Sequence, residues 1–336
     1  MGEVNLGAIL SSRFTLAIVV ACFTALALTP VVRRLAFLAG AVDIPDSERR
    51  VHKEPTPRWG GLAIYLAVVS AWLVVYPISH HPAGVPLVGA YTVNSIWIVG
   101  LGGLIVLFGM LDDIFQFSAT YQALFLVVVG ALLAHPDLAN IRIEGIGNPF
   151  GEYINFSETN SVLLTILYVF LITKTMDTMD GLDGLSAGIA VIMASTMLVL
   201  ALWQQPLVGV LCAGVIGAGL GFLRYNWHPA KIFMGTGGAQ FLGFFLAAIS
   251  IQGVVKTAAA VAFFVPLLLF GVPLFDAFLV VVRRALSRAP ITQADRRHLH
   301  HSLLGRGLSQ PQAVTVIYAI TFLLCATAVI LIKVMT

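Results

Sequence analysis

Val162–Leu185 reads VLLTILYVFLITKTMDTMDGLDGL. An apolar run, Val162–Ile172, passes directly into Asp177, Asp180 and Asp183, three acids spaced three apart. On a helix, steps of three are offset by roughly 60°, so the carboxylates line one broad face. The run is membrane-like, and a carboxylate at bilayer depth costs roughly 2.5–3.5 kcal/mol even on the lenient insertion scale. Three acids beside Lys174 therefore require a metal, a cationic neighbour or a water-filled cleft. Gly181 and Gly184 interleave with them and let another group come close to the backbone. The plainer alternative is a solvated helix end after a span.

The rest of the chain has the same character. Of its 336 residues, 59% are hydrophobic and 10% charged, with a mean hydropathy of +0.94. Soluble domains carry roughly 25% charged residues, so the composition predicts an all-α polytopic membrane protein, organised as one integral-membrane domain over 1–336. Ten apolar segments are expected, at about 13–36, 60–78, 95–111, 120–134, 161–178, 184–203, 207–223, 238–254, 257–282 and 313–333. A spanning helix needs roughly 20 residues. The ninth segment is interrupted by Pro266 and Pro273 and predicts a broken helix. It also holds Asp276, an intramembrane acid for which the sequence offers no partner. The first segment reads as a retained span, not a cleaved signal. Cys22, Cys212 and Cys325 fall inside apolar runs without disulfide or zinc spacing.

Orientation follows from the basic residues. One set of loops holds all but four of the 19 lysines and arginines; the other has only Arg13, Arg142, Lys256 and Lys333. The first set is expected to be cytoplasmic, with both termini external. The outer loop His135–Asn160 alternates weakly around a Gly-Asn-Pro turn and predicts a short external hairpin. The chain shows no internal repeat of the kind expected for an inverted-repeat transporter.

Five polar clusters share the basic side. Val42–Leu62 is a Pro-rich, charged connection ending in Arg58-Trp59-Gly60-Gly61. Asp112-Asp113 close the third segment; adjacent carboxylates repel and point to metal chemistry or a proton acceptor. The opening stretch is the third. In Arg224–Leu242 (RYNWHPAKIFMGTGGAQFL), glycines precede a new span, an arrangement that turns N–H groups toward an anion or makes a tight interhelical turn. The fifth, Asp295–His301 (DRRHLHH), gathers donors suited to phosphate or sugar hydroxyls. It is also a place for zinc, though without a nearby Cys or Glu to complete the site.

In this order the clusters resemble the polyprenyl-phosphate N-acetylhexosamine-1-phosphate transferases, over nearly the whole chain: a PTPRxGG loop, an Asp-Asp span end, DGxDGL, YNxxPAKIFMG and HLHH. The resemblance implies about ten spans and the transfer of a hexosamine 1-phosphate from a UDP-sugar to polyprenyl phosphate, with release of UMP. It further implies a Mg²⁺ cofactor, for which Mn²⁺ can substitute. Expected partners are polyprenyl phosphate, a UDP-N-acetylhexosamine and the bilayer, with homodimer formation left open and no nucleic acid. The implied location is the cytoplasmic face of the plasma (inner) membrane, at the first membrane step of cell-envelope glycan synthesis. By the same resemblance, Asp112 and Asp113 serve the lipid phosphate as base or orienting acid, with Asp180 and Lys174 in the catalytic set. Asp183 and Asn226 correspond to uridine recognition, and Arg296, Arg297, His298, His300 and His301 to the loop holding sugar and diphosphate. The HLHH form is closer to enzymes using UDP-N-acetylglucosamine than to the muramyl-pentapeptide translocase.

Five positions depart from the family pattern. Thr236 and Ala239 replace the acid and serine of MGDxGS, Lys174 and Asp177 replace the asparagines of NAxNxxDG, and Gln122 stands where a lysine is common. Taken singly, these losses describe a silent homologue that binds polyprenyl phosphate or a nucleotide sugar. Taken in pairs, four of them conserve the site: Asp177 with Thr236 still supply one carboxylate and one neutral oxygen for the metal, and Lys174 replaces the lysine missing at 122. An ion-coupled transporter, the remaining alternative, would place acids at mid-bilayer and polar groups on both faces.

Overall fold

The computed structural model describes residues 13–45, 54–78, 90–146, 154–201, 206–253, 264–287 and 298–335. Twelve helices carry these residues: α1 (Arg13–Leu38), α2 (Gly60–Ile78), α3 (Ala90–Phe115), α4 (Ala119–Ala134), α5 (Glu158–Met179), α6 (Leu185–Ala201), α7 (Pro206–Asn226), α8 (Gly235–Gly253), α9 (Phe264–Leu269), α10 (Gly271–Ser287), α11 (Leu299–Gly305) and α12 (Gln310–Met335). Two short antiparallel ladders complete the fold. Strand β1 (Val42–Asp43) pairs with β2 (Thr56–Pro57), and β3 (Gly145–Ile146) pairs with β4 (Ile154–Asn155). The second ladder is the expected hairpin; the first lies in the Pro-rich connection and had no strand signal in the sequence.

Five described helices are long and apolar enough to cross a membrane: Arg13–Leu38, Asn94–Phe115, Glu158–Met179, Val208–Asn226 and Gln310–Val334. The expected count of about ten is therefore not reached among the described residues. Gly60–Val75, Ala119–Ala134 and Leu185–Ala201 are apolar but shorter, and α8 mixes Gln240, Gln252 and glycines into its apolar run. The expected break near Pro266 and Pro273 is present, between α9 and α10. Each proline occupies the first turn of its helix, where a missing N–H leaves no bond unmade.

Helix α8 is the axis of the bundle. It is buried from Gly237 through Gly253 and is packed by α2, α3, α5, α6 and α7. A helix with no charged residue on any face belongs in such an interior. Phe241, Phe244 and Phe245 fill the space around it, and Tyr65 meets Phe241 edge-on at 5.5 Å. Glycine sets the spacing on three sides. A Cβ at Gly61 of α2 would fall on the backbone of Gly238, one at Gly109 of α3 on that of Gly237, and one at Gly243 on Thr173 and Met176 of α5. Small residues let backbones approach where lipid offers no hydrophobic drive to associate. Gly217 and Gly221 of α7 do the same against α1.

Candidate active site

The end of α8 that carries Gly235 is where all five polar clusters meet. Gly60 and Gly61 donate their N–H groups to the carbonyls of Phe233 and Met234 at 2.9 and 2.8 Å, and Phe233 N–H donates to Pro57 O at 2.8 Å. The Arg58–Gly61 connection and the turn before α8 are thus one hydrogen-bonded unit. Trp59 Nε1 donates to Met110 O at 3.2 Å, tying this unit to the end of α3. These elements, with the end of α5 and the start of α12, enclose a cavity of ≈340 Å³.

Asp113, Asp177, Asp180, Asp183, Asn226, Thr236 and His301 of the expected set line this cavity, joined by Asp43, Arg58 and Gln310. Sequence reasoning gave Asp43 and Gln310 no site role and placed Arg58 only in a charged loop. Arg58 is hydrogen-bonded to Asp43 across the first ladder, an acid 15 residues away that no local spacing connects to it. Asp112 turns away from the cavity. Its Oδ1 accepts from Phe117 N–H at 3.0 Å and from Gln122 Nε2 at 2.9 Å. Asp113 Oδ1 accepts the Thr236 N–H at 3.2 Å, at the start of α8 where amide groups lack helical partners.

The acids of the opening stretch are held differently from one another. Asp183 Oδ2 pairs with His228 Nδ1 at 2.8 Å and accepts Ala230 N–H at 3.1 Å, both from the YNWHPA turn. Asn226 spends both ends of its amide on backbone: Oδ1 accepts from Gly184 N–H at 3.1 Å and Nδ2 donates to Ile232 O at 2.9 Å. Asp180 follows the last residue of α5. Burial raises its carboxyl to about 7, and the charges of Asp177 and Asp183 add to the shift.

Three of the five substituted positions are in direct contact. Lys174 Nζ donates to Gln122 Oε1 at 2.8 Å and to Asp177 Oδ2 at 2.6 Å. Gln240 Nε2 donates to the same Asp177 oxygen at 3.2 Å. A line of hydrogen bonds therefore runs Asp112–Gln122–Lys174–Asp177–Gln240 through α3, α4, α5 and α8. Gln240, on the buried face of α8, gave no sign of this role in the sequence.

The histidine segment lies against the same stretch. His298 Nδ1 is 2.7 Å from Asp276 Oδ2, and Leu299 N–H donates to Asp276 Oδ1 at 2.6 Å, which supplies the partner the sequence did not. His300 is buried, and its ring lies on Gly181, where a Cβ would collide with it. Burial lowers the His300 imidazole to about 3, with the neighbouring charges of His301 and His298 acting in the same sense. It is a neutral ring at physiological pH. Its Nδ1 has no hydrogen-bond partner among the described residues. Arg296 and Arg297 lie outside the described residues.

Among the described residues, no three His, Cys, Asp or Glu side chains are gathered closely enough to cage a metal ion. The donor set nevertheless fits one kind of cation. Asp113, Asp177, Asp180 and Asp183 face one cavity. Mg²⁺ uses one or two carboxylates and fills its remaining positions with water and substrate phosphate oxygens, so it needs no protein cage.

A model of glycosyl transferase family 4 matches residues 95–254, the stretch that holds Asp112, Asp113, the three-acid segment, Asn226 and Thr236. The chain is 37% identical over 321 residues to the probable undecaprenyl-phosphate N-acetylglucosaminyl 1-phosphate transferase of Bacillus subtilis (strain 168), covering 95% of this chain and 85% of that protein. It is 33% identical over 314 residues to the decaprenyl-phosphate N-acetylglucosaminephosphotransferase of Mycolicibacterium smegmatis, covering 85% and 74%. It is 24% identical over 304 residues to the undecaprenyl-phosphate alpha-N-acetylglucosaminyl 1-phosphate transferase of Escherichia coli (strain K12), covering 89% and 78%. With identity at this level along almost its full length, and with the motifs converging on one cavity, the chain belongs to the polyprenyl-phosphate N-acetylhexosamine-1-phosphate transferases, glycosyl transferase family 4.

Proposed function

We propose that the chain transfers N-acetylglucosamine 1-phosphate from UDP-N-acetylglucosamine to a polyprenyl phosphate and releases UMP. The reaction takes place at the cytoplasmic face of the plasma membrane, with both chain termini external and residues 1–336 acting as one domain. It is the first membrane step of a cell-envelope glycan. The observation that carries the reading is the contact between Lys174 and Gln122 at 2.8 Å. A cation missing at one position is supplied at the same point from the neighbouring helix, which is what a maintained site requires. The relatives named for N-acetylglucosamine transfer support the choice of sugar.

An oxygen of the lipid phosphate attacks the sugar-bearing phosphorus of the UDP-sugar. A new P–O bond forms, the P–O bond to the uridine phosphate breaks, and the electron pair departs with UMP. The attacking phosphate is already anionic near neutral pH, so Asp113 has to orient it and accept any residual proton. Asp112 holds Gln122 and the turn after α3, and through Gln122 it fixes Lys174. Lys174 and Arg58 offset the charge of two anions brought together. Asp183, oriented by the YNWHPA turn, reads the uridine, while Asn226 holds the backbone around it. Asp180 borders the reacting phosphates, and the histidine segment with Arg296 and Arg297 holds the sugar and diphosphate.

Asp177 and Thr236 would hold Mg²⁺, with Mn²⁺ able to replace it. When bound, the ion supplies Lewis-acid polarisation of the diphosphate and neutralises the charge on departing UMP. The test is UMP release by purified protein given polyprenyl phosphate, Mg²⁺ and a panel of UDP-sugars. Turnover with UDP-N-acetylglucosamine is expected. Tight nucleotide-sugar binding without UMP release from any of the panel would instead establish a silent homologue.

A further inference from the structure

Asp276 takes no part in the chemistry above, yet it is among the most deeply buried charged groups in the protein, at 2% exposure. It sits on α10, after the break that separates α9 from α10. A carboxylate in such a place is retained only when its oxygens are well occupied. Here both are. Oδ2 meets His298 Nδ1 at 2.7 Å and Oδ1 accepts Leu299 N–H at 2.6 Å. One carboxylate therefore grips a side chain and the next residue's backbone, fixing both the path and the roll of the segment as it enters α11.

The grip orients the histidine side chains. A carboxylate at Nδ1 favours the proton on that nitrogen and turns Nε2 of His298 away from α10. The His298 ring stacks on that of His300 at 5.6 Å with 9° between planes, and His300 meets His301 at 4.3 Å. His300 rests on Gly181, inside the three-acid stretch, and His301 lines the cavity. The chain of contacts runs from Asp276 through three rings to the cavity wall.

We infer that Asp276 is a positioning residue for nucleotide-sugar binding: it clamps His298 and Leu299 to α10 and so seats the histidine segment on Gly181 with His301 at the cavity. This rests on the transferase reading for its kinetic consequence, but the clamp itself is testable without turnover. In Asp276→Asn, amide hydrogen exchange of residues 299–305 should speed up by about tenfold or more, as expected when a hydrogen bond to a charged group is lost, while α5 and α8 keep their protection. The KM for UDP-N-acetylglucosamine should rise by about tenfold or more, with the KM for polyprenyl phosphate within about twofold of the parent. A second pair of variants tests the same clamp from outside the bundle. His298→Asn keeps a donor for Asp276 and should retain most of the protection; His298→Leu removes the donor and should behave like Asp276→Asn. Unchanged exchange at 299–305 in both Asp276→Asn and His298→Leu would overturn the clamp. Equal changes in both KM values would overturn its assignment to the nucleotide sugar. Absence of UMP release from the parent protein would count against the transferase reading while leaving the exchange result decisive for the clamp.

Discussion

Moving the site lysine back across the α4–α5 contact probes the relocated cation most directly. Lys174 Nζ lies 2.8 Å from Gln122 Oε1 and 2.6 Å from Asp177 Oδ2. Gln122→Lys alone brings a second ammonium to the first. Two unit charges 2.8 Å apart repel by about 6 kcal/mol at an effective dielectric of about 20. Most of that is relieved, because the Lys174 side chain is 31% exposed and swings toward water. What remains lost is its charge-assisted bond to Asp177, about 1.5–3 kcal/mol. Lys174→Asn alone deletes the same bond and leaves Asp177 to Gln240. Each single variant should therefore lose about ten- to hundredfold in kcat/KM. The double variant Gln122→Lys with Lys174→Asn returns one ammonium to the same contact from the opposite helix. It should recover to within about tenfold of the parent, giving an interaction energy of about 1–3 kcal/mol. Initial rates of UMP release in detergent micelles measure the effect, with unfolding midpoints recorded to exclude a loss of folded protein. Losses that simply multiply in the double variant would refute a shared cation.

Three further outcomes are expected. Asp113→Asn should reduce turnover by about 10²–10⁴-fold at unchanged stability, and Asp112→Asn by less, because Asp112 acts through Gln122 and the Phe117 N–H; steady-state rates and melting curves rank the two, and the reverse order would reassign them. Asp177→Asn should abolish activity or greatly raise the Mg²⁺ needed for half-maximal rate, and adding Thr236→Asp should restore part of the loss. A double variant no better than Asp177→Asn would show that these positions do not share an ion. For the proposed topology, cysteines introduced at Glu54 and Asp137 should be labelled by an impermeant thiol reagent from opposite sides of the membrane; same-side labelling would place the cavity and the β3–β4 hairpin on one face.

The part of the site legible in the sequence is the part written at helix ends. Asp113, Asp177, Asp180 and Asp183 stand where apolar runs stop, and a charge at such a boundary shows against its surroundings; Thr236, uncharged, was reached only through the family resemblance. The α9–α10 break was legible because two prolines mark it, whereas the central place of α8 was not read from its sequence. Contacts between distant positions were not. Nothing local joins Asp43 to Arg58, Asp276 to His298 or Gln240 to Asp177, because each pair is brought together by packing. The direction of Asp112 was equally hidden: neighbours in a helix point about 100° apart, and which of two adjacent acids faces a cavity depends on how the helix is rotated. Among the described residues fewer helices than expected meet the length and apolarity of a span, because apolar content in a sequence does not reveal where a helix ends or where glutamines and glycines dilute it.

The glycine contacts around α8 have a consequence for how this enzyme can change. At Gly61, Gly109 and Gly243 the backbones of α8 and of α2, α3 and α5 come into close approach with no room for a side chain on the glycine, so at these crossings the separations are set by glycine and not by a residue that can be resized. Around such a frame, a given point in the cavity lies within reach of more than one helix, and a functional group lost from one can be regained from the next without moving either. Lineages can then drift among alternative ligand sets while the reaction is preserved. A motif scan that scores each position separately would discard such variants as dead enzymes.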